Sequence, residues 1–359
     1  MKGSDMVKIK YIAAAVLVFI LSAPGWAQQL PDEEPQRGAG DVASTELTSV
    51  SVQTLTAINA YRMIAMRFDP IFYPRNLLGQ GTRTASALPN GFTSIASGEE
   101  NKGISVWANM GRNKIKDEFA QTAYDGYTNS FALGGDYAVK PWAIVGISMN
   151  YADTDIDTPF NGGDSQTKGF TLLPYANFNI NKWLSTDVSV GYAWNDTDVR
   201  RVFAGNTITG SQDSEGWLAV ANLNAQKWFN LVFLSAKAGL LYNQDKRSTF
   251  TESDGTVNVG RTNDLVQGNL GASIGYWMEP FMPSLSVTYT YDLDREDQVL
   301  AGNGPQPAND KDGVTIGLAL SYYGSGAAKG WSVSLAATTE VLREDMENKG
   351  LSLNVRYAF

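Results

Sequence analysis

From about residue 103 onward, apolar and polar residues alternate with a period of two along a series of segments. In one of them Val145, Ile147, Met149 and Tyr151 alternate with Gly146, Ser148 and Asn150. Because successive side chains of a strand point to opposite faces, each such segment predicts a β-strand with one apolar face. We find twelve such segments, and the last is the C-terminal LSLNVRYAF, residues 351–359.

The connections between these segments alternate in length. Short turns, such as the one at Lys140 and Pro141, join segments two and three, four and five, six and seven, eight and nine, and ten and eleven. Long polar loops are predicted elsewhere, at DTDIDTPFNGGDSQT (153–167), KRSTFTESDGTVNVGRTN (246–263) and DREDQVLAGNGPQPANDKD (294–312). Short turns at one end and long loops at the other are typical of outer-membrane barrels.

Aromatic residues lie near the segment ends, where the two aromatic girdles of a membrane barrel are expected. The candidates are Trp142, Trp183, Trp228, Trp277, Trp331, Tyr151, Tyr192, Tyr242 and Tyr322. A water-soluble barrel with its apolar face inside is the alternative. The length of the segments and a polar face rich in Gly and Ser, rather than Lys and Glu, favour the membrane barrel.

The chain before residue 103 has a different pattern. Residues 1–27 combine an early basic stretch, the apolar run YIAAAVLVFIL and a small-residue end at Ala27, and we interpret them as a signal peptide. Residues 28–52 are predicted to be a short disordered segment. Residues 53–68 contain no Gly or Pro and predict a helix, and residues 69–102 predict a linker. The barrel is assigned to residues 103–359.

The composition excludes several classes of function. The chain has 28 basic and 37 acidic residues; removal of residues 1–27, with Lys2, Lys8, Lys10 and Asp5, leaves 25 and 36 and a net charge of −11. Such an acidic chain is a poor candidate for nucleic-acid binding. The absence of Cys and His argues against disulfides, zinc sites with those ligands and enzymes that need a His base.

The order of a helix, a linker, SVWANMG (105–111), ALGGDYAV (132–139), ten further strands and a C-terminal Phe359 resembles the β-domain of autotransporters. The resemblance covers about residues 50–359 and rests on strand patterns. It implies an all-β, twelve-stranded antiparallel transmembrane barrel with the N-terminal helix in its lumen. It also implies that the barrel-assembly machinery recognises the last strand, through Leu351, Leu353, Val355, Tyr357 and Phe359.

Two features differ from that family. Only about 25 residues separate Ala27 from the helix, which predicts little or no passenger domain. Some members cut themselves at paired Asn in the helix, whereas this helix has Asn59 alone in AINAYR, so release by that route is not expected.

Charged residues on the polar face are the candidate lumen site. The polar-face set is Asp136, Asp187, Lys237, Glu340 and Arg356, and the helix adds Arg62 and Arg67. We expect Arg62 or Arg67 to pair with Asp136 or Asp187, with simple hydration as the alternative.

Two other motifs give weaker evidence for a catalytic or metal site. GASIG (271–275) matches a nucleophile elbow but lies inside a predicted strand of a chain without His, so no catalytic residue is predicted. The acidic groups Asp153, Asp155 and Asp157, and Asp292, Asp294, Glu296 and Asp297, could bind Ca²⁺, but we favour solvated loops. No metal or cofactor is predicted.

The sequence therefore predicts a non-enzymatic translocator barrel in the outer membrane of a Gram-negative bacterium, reached by signal-peptide-dependent export. Its expected partners are outer-membrane lipid, lipopolysaccharide and the barrel-assembly machinery, and a monomer is expected. Two alternatives stay open: a pore for small solutes, and a surface protein that binds a partner through its long acidic loops.

Overall fold

The computed structural model describes residues 103–295, 297, 300 and 305–359. Its strands are β1 (Ile104–Asp117), β2 (Tyr124–Lys140), β3 (Ala143–Thr158), β4 (Gly163–Asn179), β5 (Leu184–Phe203), β6 (Asn206–Phe229), β7 (Val232–Arg247), β8 (Phe250–Thr251), β9 (Val257–Asn258), β10 (Thr262–Tyr276), β11 (Phe281–Arg295), β12 (Asp312–Tyr323), β13 (Trp331–Val341) and β14 (Met346–Ala358). Two 3-10 turns, Pro159–Asn161 and Gly326–Ala328, lie between strands. No helix of the described part is long and apolar enough to cross a membrane.

Twelve of these strands form a closed antiparallel barrel. Each strand pairs with its neighbour in the chain, β7 pairs with β10, and β14 returns to pair with β1. The small β8–β9 hairpin is inserted between β7 and β10. The predicted barrel is thus confirmed. The predicted signal peptide, disordered segment, helix and linker (1–27, 28–52, 53–68 and 69–102) lie outside the described residues.

The connections define two ends of the barrel. The end that carries the short connections, such as the one between Lys140 and Ala143, also carries the start of β1 and the C-terminus, and we name it the turn end. The opposite end, where β7 is linked to β10 and β11 to β12, is named the loop end. The five predicted short turns share the turn end, but the loop end also carries short connections, such as the two residues between Phe203 and Asn206.

The alternation in the strands separates a lipid face from a lumen face. Apolar side chains such as Ile147, Phe170 and Leu335 point outward and are exposed on the barrel surface. Polar side chains such as Ser105, Asn109 and Thr128 point inward and are buried. This is the arrangement that lipid outside and a polar interior require.

The lumen is more apolar than the sequence predicted. Inward-facing Trp107, Leu173, Tyr175, Leu218, Val220, Leu241 and Leu265 belong to one buried cluster. At the turn end a second cluster contains Phe233, Trp277, Met282 and Tyr323, with Trp228 against it. The prediction that Trp228 and Trp277 are girdle residues is therefore wrong. Tyr276 points outward, so the alternation turns Trp277 inward.

The prediction of a long loop at 153–167 is also wrong. β3 extends to Thr158 and β4 begins at Gly163, and a single 3-10 turn joins them. Thr154 keeps its inward position and its hydroxyl lies 2.9 Å from that of Thr128. Asp153, Asp155 and Asp157 occupy the outward positions, so the period continues while the outward face becomes polar. β6 has 24 residues, far more than the 9–11 or so that span a bilayer. The wall from β3 to β6 therefore rises well above the lipid.

Gly134 on β2 makes room for an inward aromatic ring. A Cβ at Gly134 would lie 2.4 Å from the indole of Trp107, whereas a Cβ at Gly135 would meet only the Ser105 carbonyl oxygen, at 3.7 Å. Trp107 therefore lies flat over β2 and reaches toward β4.

We expect Gly134→Ala to displace Trp107 and lower stability by about 1–3 kcal/mol, the usual cost of overpacking. The measurement is the temperature at which the folded, fast-migrating form is lost on electrophoresis, with Gly135→Ala as the matched control. Equal transition temperatures for the two variants would contradict this account.

Candidate functional site in the barrel lumen

The Asp136 carboxylate, near the turn end, accepts two hydrogen bonds, one from the β1 side and one from the β4 side. The Arg356 guanidinium donates to the Ser105 hydroxyl at 3.1 Å, and Ser105 donates to Asp136 Oδ1 at 2.5 Å. The Trp107 indole donates to the Tyr175 hydroxyl at 2.8 Å, and Tyr175 donates to Asp136 Oδ2 at 3.2 Å. All five side chains are buried. They connect β14, β1, β2 and β4, and we name them the seam clasp.

Asp187 on β5 is the centre of a second polar group. Its two carboxylate oxygens accept hydrogen bonds from the side-chain amides of Asn222, at 2.8 Å, and Asn224, at 2.5 Å. Lys237 on β7 is the register partner of Asn224, so its charge lies one strand further along the same wall. Hydrogen bonds to the charged form of a buried carboxylate offset part of the cost of removing it from water.

A third group lies at the loop end around Asp292, which is nearly fully buried. The carboxylate accepts hydrogen bonds from Gln267 at 2.7 Å, Arg295 at 3.0 Å and Arg343 at 3.2 Å. Arg343 also forms an ion pair with Glu340, at 3.2 Å. Asp292 is thus not a loop carboxylate, as its position in the sequence suggested, but an inward residue of β11.

The fourth group fastens the connection between β7 and β10 to the tall wall. Arg201 on β5 binds Glu252 with two nitrogens, at 2.6 Å and 3.1 Å, and both side chains are buried. Asp254 lies 3.3 Å from the same guanidinium. The backbone N–H of Thr256 and, more weakly, Arg201 hold the pKa of Asp254 below its usual value. We name residues 248–261 the docked loop.

The docked loop also makes backbone contacts along β6. The Ser253 N–H donates to the Thr209 carbonyl at 2.8 Å, and the Ser248 N–H donates to the Asp213 carbonyl at 3.0 Å. These bonds cover part of the β6 edge that β7 does not reach. The loop therefore behaves as a short extension of the wall.

The sequence-predicted lumen residues separate into these groups. Asp136 and Arg356 are brought together through Ser105. Asp187 and Lys237 lie in the wall formed by β5 to β7, and Glu340 pairs with Arg343 at the loop end. Asn59, Arg62 and Arg67 lie outside the described residues, so their predicted pairing stays a prediction. Sequence reasoning missed Ser105, Tyr175, Arg201 and Arg343, because alternation indicates which face a residue occupies and not which residue it meets across the lumen.

The residues of the proposed C-terminal signal share one face of the last strand. Leu351, Leu353, Val355 and Tyr357 occupy alternate outward positions of β14, and Phe359 follows directly. Leu351 is 56% exposed and Phe359 is 50% exposed. The Phe359 ring packs edge-on against the ring of Tyr357. The Phe359 N–H donates to the Ile104 carbonyl of β1 at 3.1 Å. The C-terminus is thus held at the closure of the barrel.

The described residues contain no group of three or more carboxylates arranged to hold a metal ion. Asp153, Asp155 and Asp157 are successive outward positions of one strand. GASIG lies within β10, where Gly271, Ser273 and Gly275 face the lumen, and the Ser235 hydroxyl donates to that of Ser273 at 3.2 Å. Neither motif has the geometry of a chemical site.

A family model, described as the autotransporter beta-domain, matches residues 106–338. The chain belongs to the autotransporter β-domain family. The barrel is thus a translocator fold of the Gram-negative outer membrane. No curated protein sequence matches the chain.

Solved autotransporter domains share the fold. The translocator domain of autotransporter NalP from Neisseria meningitidis is 14% identical, covers 88% of this chain and 100% of its own, and has a TM-score of 0.67. The β-domain of the Bordetella autotransporter BrkA is 16% identical over 72% of this chain and 100% of its own, with a TM-score of 0.58. The transport unit of AIDA-I from Escherichia coli is 15% identical over 73% and 92%, with a TM-score of 0.52.

We expect Arg201→Ala to release the docked loop without unfolding the barrel. An unpaired buried carboxylate costs about 3–5 kcal/mol, and Glu252 can escape that cost by moving into water. Chymotryptic cleavage at Phe250 on intact cells should rise by at least about tenfold.

Arg200→Ala is the matched control, because Arg200 pairs with Asp164 at 2.6 Å while both side chains are more than a third exposed. An exposed pair contributes about 0–1 kcal/mol, so cleavage should hardly change. Equal cleavage of the two variants would contradict the role given to Arg201.

Proposed function

We propose that this barrel carries its own N-terminal segment across the outer membrane, with residues 53–68 lying as a helix in the lumen and residues 28–52 as a short exposed segment in place of a large passenger. The observation that carries the proposal is the closed barrel, in which β1 begins at the turn end. A chain that enters β1 at the turn end has a direct path into the lumen from there.

The inner wall has the features that such a helix requires. Leu173, Leu218, Val220, Leu241 and Leu265 form an apolar strip on the inner wall of the barrel. The predicted helix has Leu55, Ile58, Met63 and Met66 at helical spacing, with Arg62 and Arg67 available to carboxylates such as Asp136 and Asp187. An apolar strip in the lumen favours a bound amphipathic segment over bulk water.

The role is proposed to be non-enzymatic. We also propose that a signal peptide directs export and that the barrel-assembly machinery inserts the barrel by recognising the signal residues of β14. The inserted barrel is proposed to be a monomer in contact with lipopolysaccharide. The outward positions of Leu351 to Tyr357 support it, since one continuous apolar face is available along the last strand.

The orientation of the N-terminal segment can be tested directly. We expect an epitope tag inserted after residue 30 to bind antibody on intact cells, because passage through the lumen places that residue outside. The control is the same tag in the turn between Ser325 and Lys329, which lies at the turn end and should bind antibody only after the outer membrane is opened. A residue-30 tag hidden on intact cells would overturn the proposal.

A pore for small solutes is the second candidate, and the Ser, Thr and Asn lining of the inner wall is the observation that favours it. The two functions differ in conductance. We expect the full chain to conduct weakly in a planar bilayer and deletion of residues 28–68 to raise single-channel conductance several-fold, because a helix fills most of the lumen of a twelve-stranded barrel. High conductance of the full chain, unchanged by the deletion, would favour the solute pore.

A further inference from the structure

The pairing of β1 with β14 differs from every other pairing in the barrel, because no turn joins the two strands. Every other barrel pair joins strands that follow one another or, for β7 and β10, are linked through the β8–β9 hairpin, so a connection limits the register. β1 and β14 come from opposite ends of the barrel sequence and pair from Ser105 with Ala358 to Asp117 with Met346. Their register must therefore be specified by side chains.

The lipid-out, lumen-in alternation cannot supply this specification alone. A shift of one residue would turn the apolar face of β14 inward, which the alternation forbids. A shift of two residues keeps every side chain on its proper face. Two shifted registers of this kind exist, one that places Arg356 opposite Asn109 and one that places it opposite Ser105, instead of opposite Trp107.

The seam clasp distinguishes the first shifted register from the native one. In the native pairing Arg356 reaches the Ser105 hydroxyl at 3.1 Å, and Ser105 passes the hydrogen bond to Asp136 at 2.5 Å. With Arg356 opposite Asn109, Ser105 would be four residues further along β1, about 13 Å away at the rise of a strand. The link between β14 and Asp136 would be lost. Hydrogen bonds to charged groups are the stronger ones, so this loss is large for one contact.

A second contact distinguishes the other shifted register. Asn113 on β1 pairs with Gly350 on β14, and its side chain lies over the glycine: a Cβ there would be 2.4 Å from Asn113 Oδ1. It would also lie 2.7 Å from Thr338 Oγ1 of β13, a contact that a shift of β14 against β1 alone leaves unchanged. With Arg356 opposite Ser105, the clasp could persist, but Asn113 would face Asn348 instead of Gly350. The space that accepts the Asn113 side chain would then be filled by another asparagine.

We propose that the seam clasp and the fit of Asn113 over Gly350 together fix the register in which the barrel closes. The clasp disfavours one of the two face-preserving shifts, and the Asn113 fit, which both shifts lose, is what disfavours the shift that keeps the clasp. Arg356, Ser105 and Gly350 are positioning residues for the closing step. They lie on the inward faces of β1 and β14, whereas the residues of the C-terminal signal lie on the outward face of β14. The inference rests on the closed barrel and not on transport, so it can fail or hold independently of the proposed function.

Three cysteine pairs report the register, and the chain contributes no cysteine of its own. Lys349→Cys is kept constant and combined with Lys114→Cys for the native register, Lys116→Cys for the shifted register that loses the clasp, or Arg112→Cys for the shifted register that keeps the clasp. All four positions face outward and none belongs to the C-terminal signal or the clasp. The readout is the yield of circularised, faster-migrating protein after mild oxidation.

We expect Ser105→Ala to raise the ratio of the Lys116 pair to the Lys114 pair about tenfold, the effect of losing one hydrogen bond to a charged group. Ser148→Ala is the matched control, since its buried hydroxyl donates to the Leu173 carbonyl at 3.3 Å, away from the seam. Ser105→Ala leaves β14 intact, so its effect cannot come from a damaged C-terminal signal. Adding Asp136→Asn should change the ratio little further, because both residues act through one clasp.

We expect Gly350→Ala to shift the register in the other direction and raise the yield of the Arg112 pair, because that register places Gly111 opposite the new methyl group. Asn113→Gly in the same chain should restore the Lys114 pair, a rescue that a general loss of stability would not give. A variant that does not reach the membrane is refolded in detergent micelles, where the same yields are measured. Yields of Ser105→Ala equal to those of Ser148→Ala, or no rescue by Asn113→Gly, would overturn the proposal.

Discussion

Every backbone N–H and C=O group inside the hydrocarbon layer must find a partner within the protein, because lipid offers none. For a sheet this requires closure, and closure here depends on the hydrogen bonds between β1 and β14. An open edge on either strand would leave a row of unsatisfied groups in lipid, each costing several kcal/mol. The outward aliphatic side chains, the polar lumen and the bonded C-terminus all follow from that requirement.

The inside of the barrel meets a different requirement. Carboxylates that face a narrow lumen need donors, and the described wall provides them in pairs: Ser105 and Tyr175 for Asp136, Asn222 and Asn224 for Asp187. The Asp187 arrangement joins the consecutive strands β5 and β6, whereas the Asp136 arrangement reaches from β1 and β2 to β4. The polar groups therefore stabilise the shape of the barrel as well as their own charges, while the apolar strip between them leaves a surface suited to an amphipathic segment.

Much of the fold could be predicted from the sequence, because the period of two fixes both the strand and its face. The turn at Lys140 and the outward set from Leu351 to Tyr357 follow from that period alone. The extent of β3 and β4 did not follow, since Asp153 and Asp155 are outward residues above the lipid and resemble a loop in a linear sequence. Trp277 was misplaced because position near a strand end does not determine which way a side chain points.

The contacts that build the lumen site could be predicted least. That Asp136 and Arg356 face inward follows from alternation, but the hydroxyl that joins them belongs to Ser105, an ordinary serine in a strand rich in small polar residues. Arg201 and Glu252 are 51 residues apart, and a docked loop brings them together. Such contacts depend on strand register and loop path, which one sequence does not encode in any local pattern.

Backbone amide hydrogen exchange, followed residue by residue in a lipid bilayer or micelle, tests closure most directly. If β1 and β14 close the barrel, the seam amides from Ala108 to Arg112 and from Leu351 to Val355 should be protected as strongly as those in the membrane-level parts of β5 and β6, because both groups donate to a neighbouring strand. Rapid exchange along one edge of β1 and β14, while β5 and β6 stay protected, would show an open seam and contradict the account.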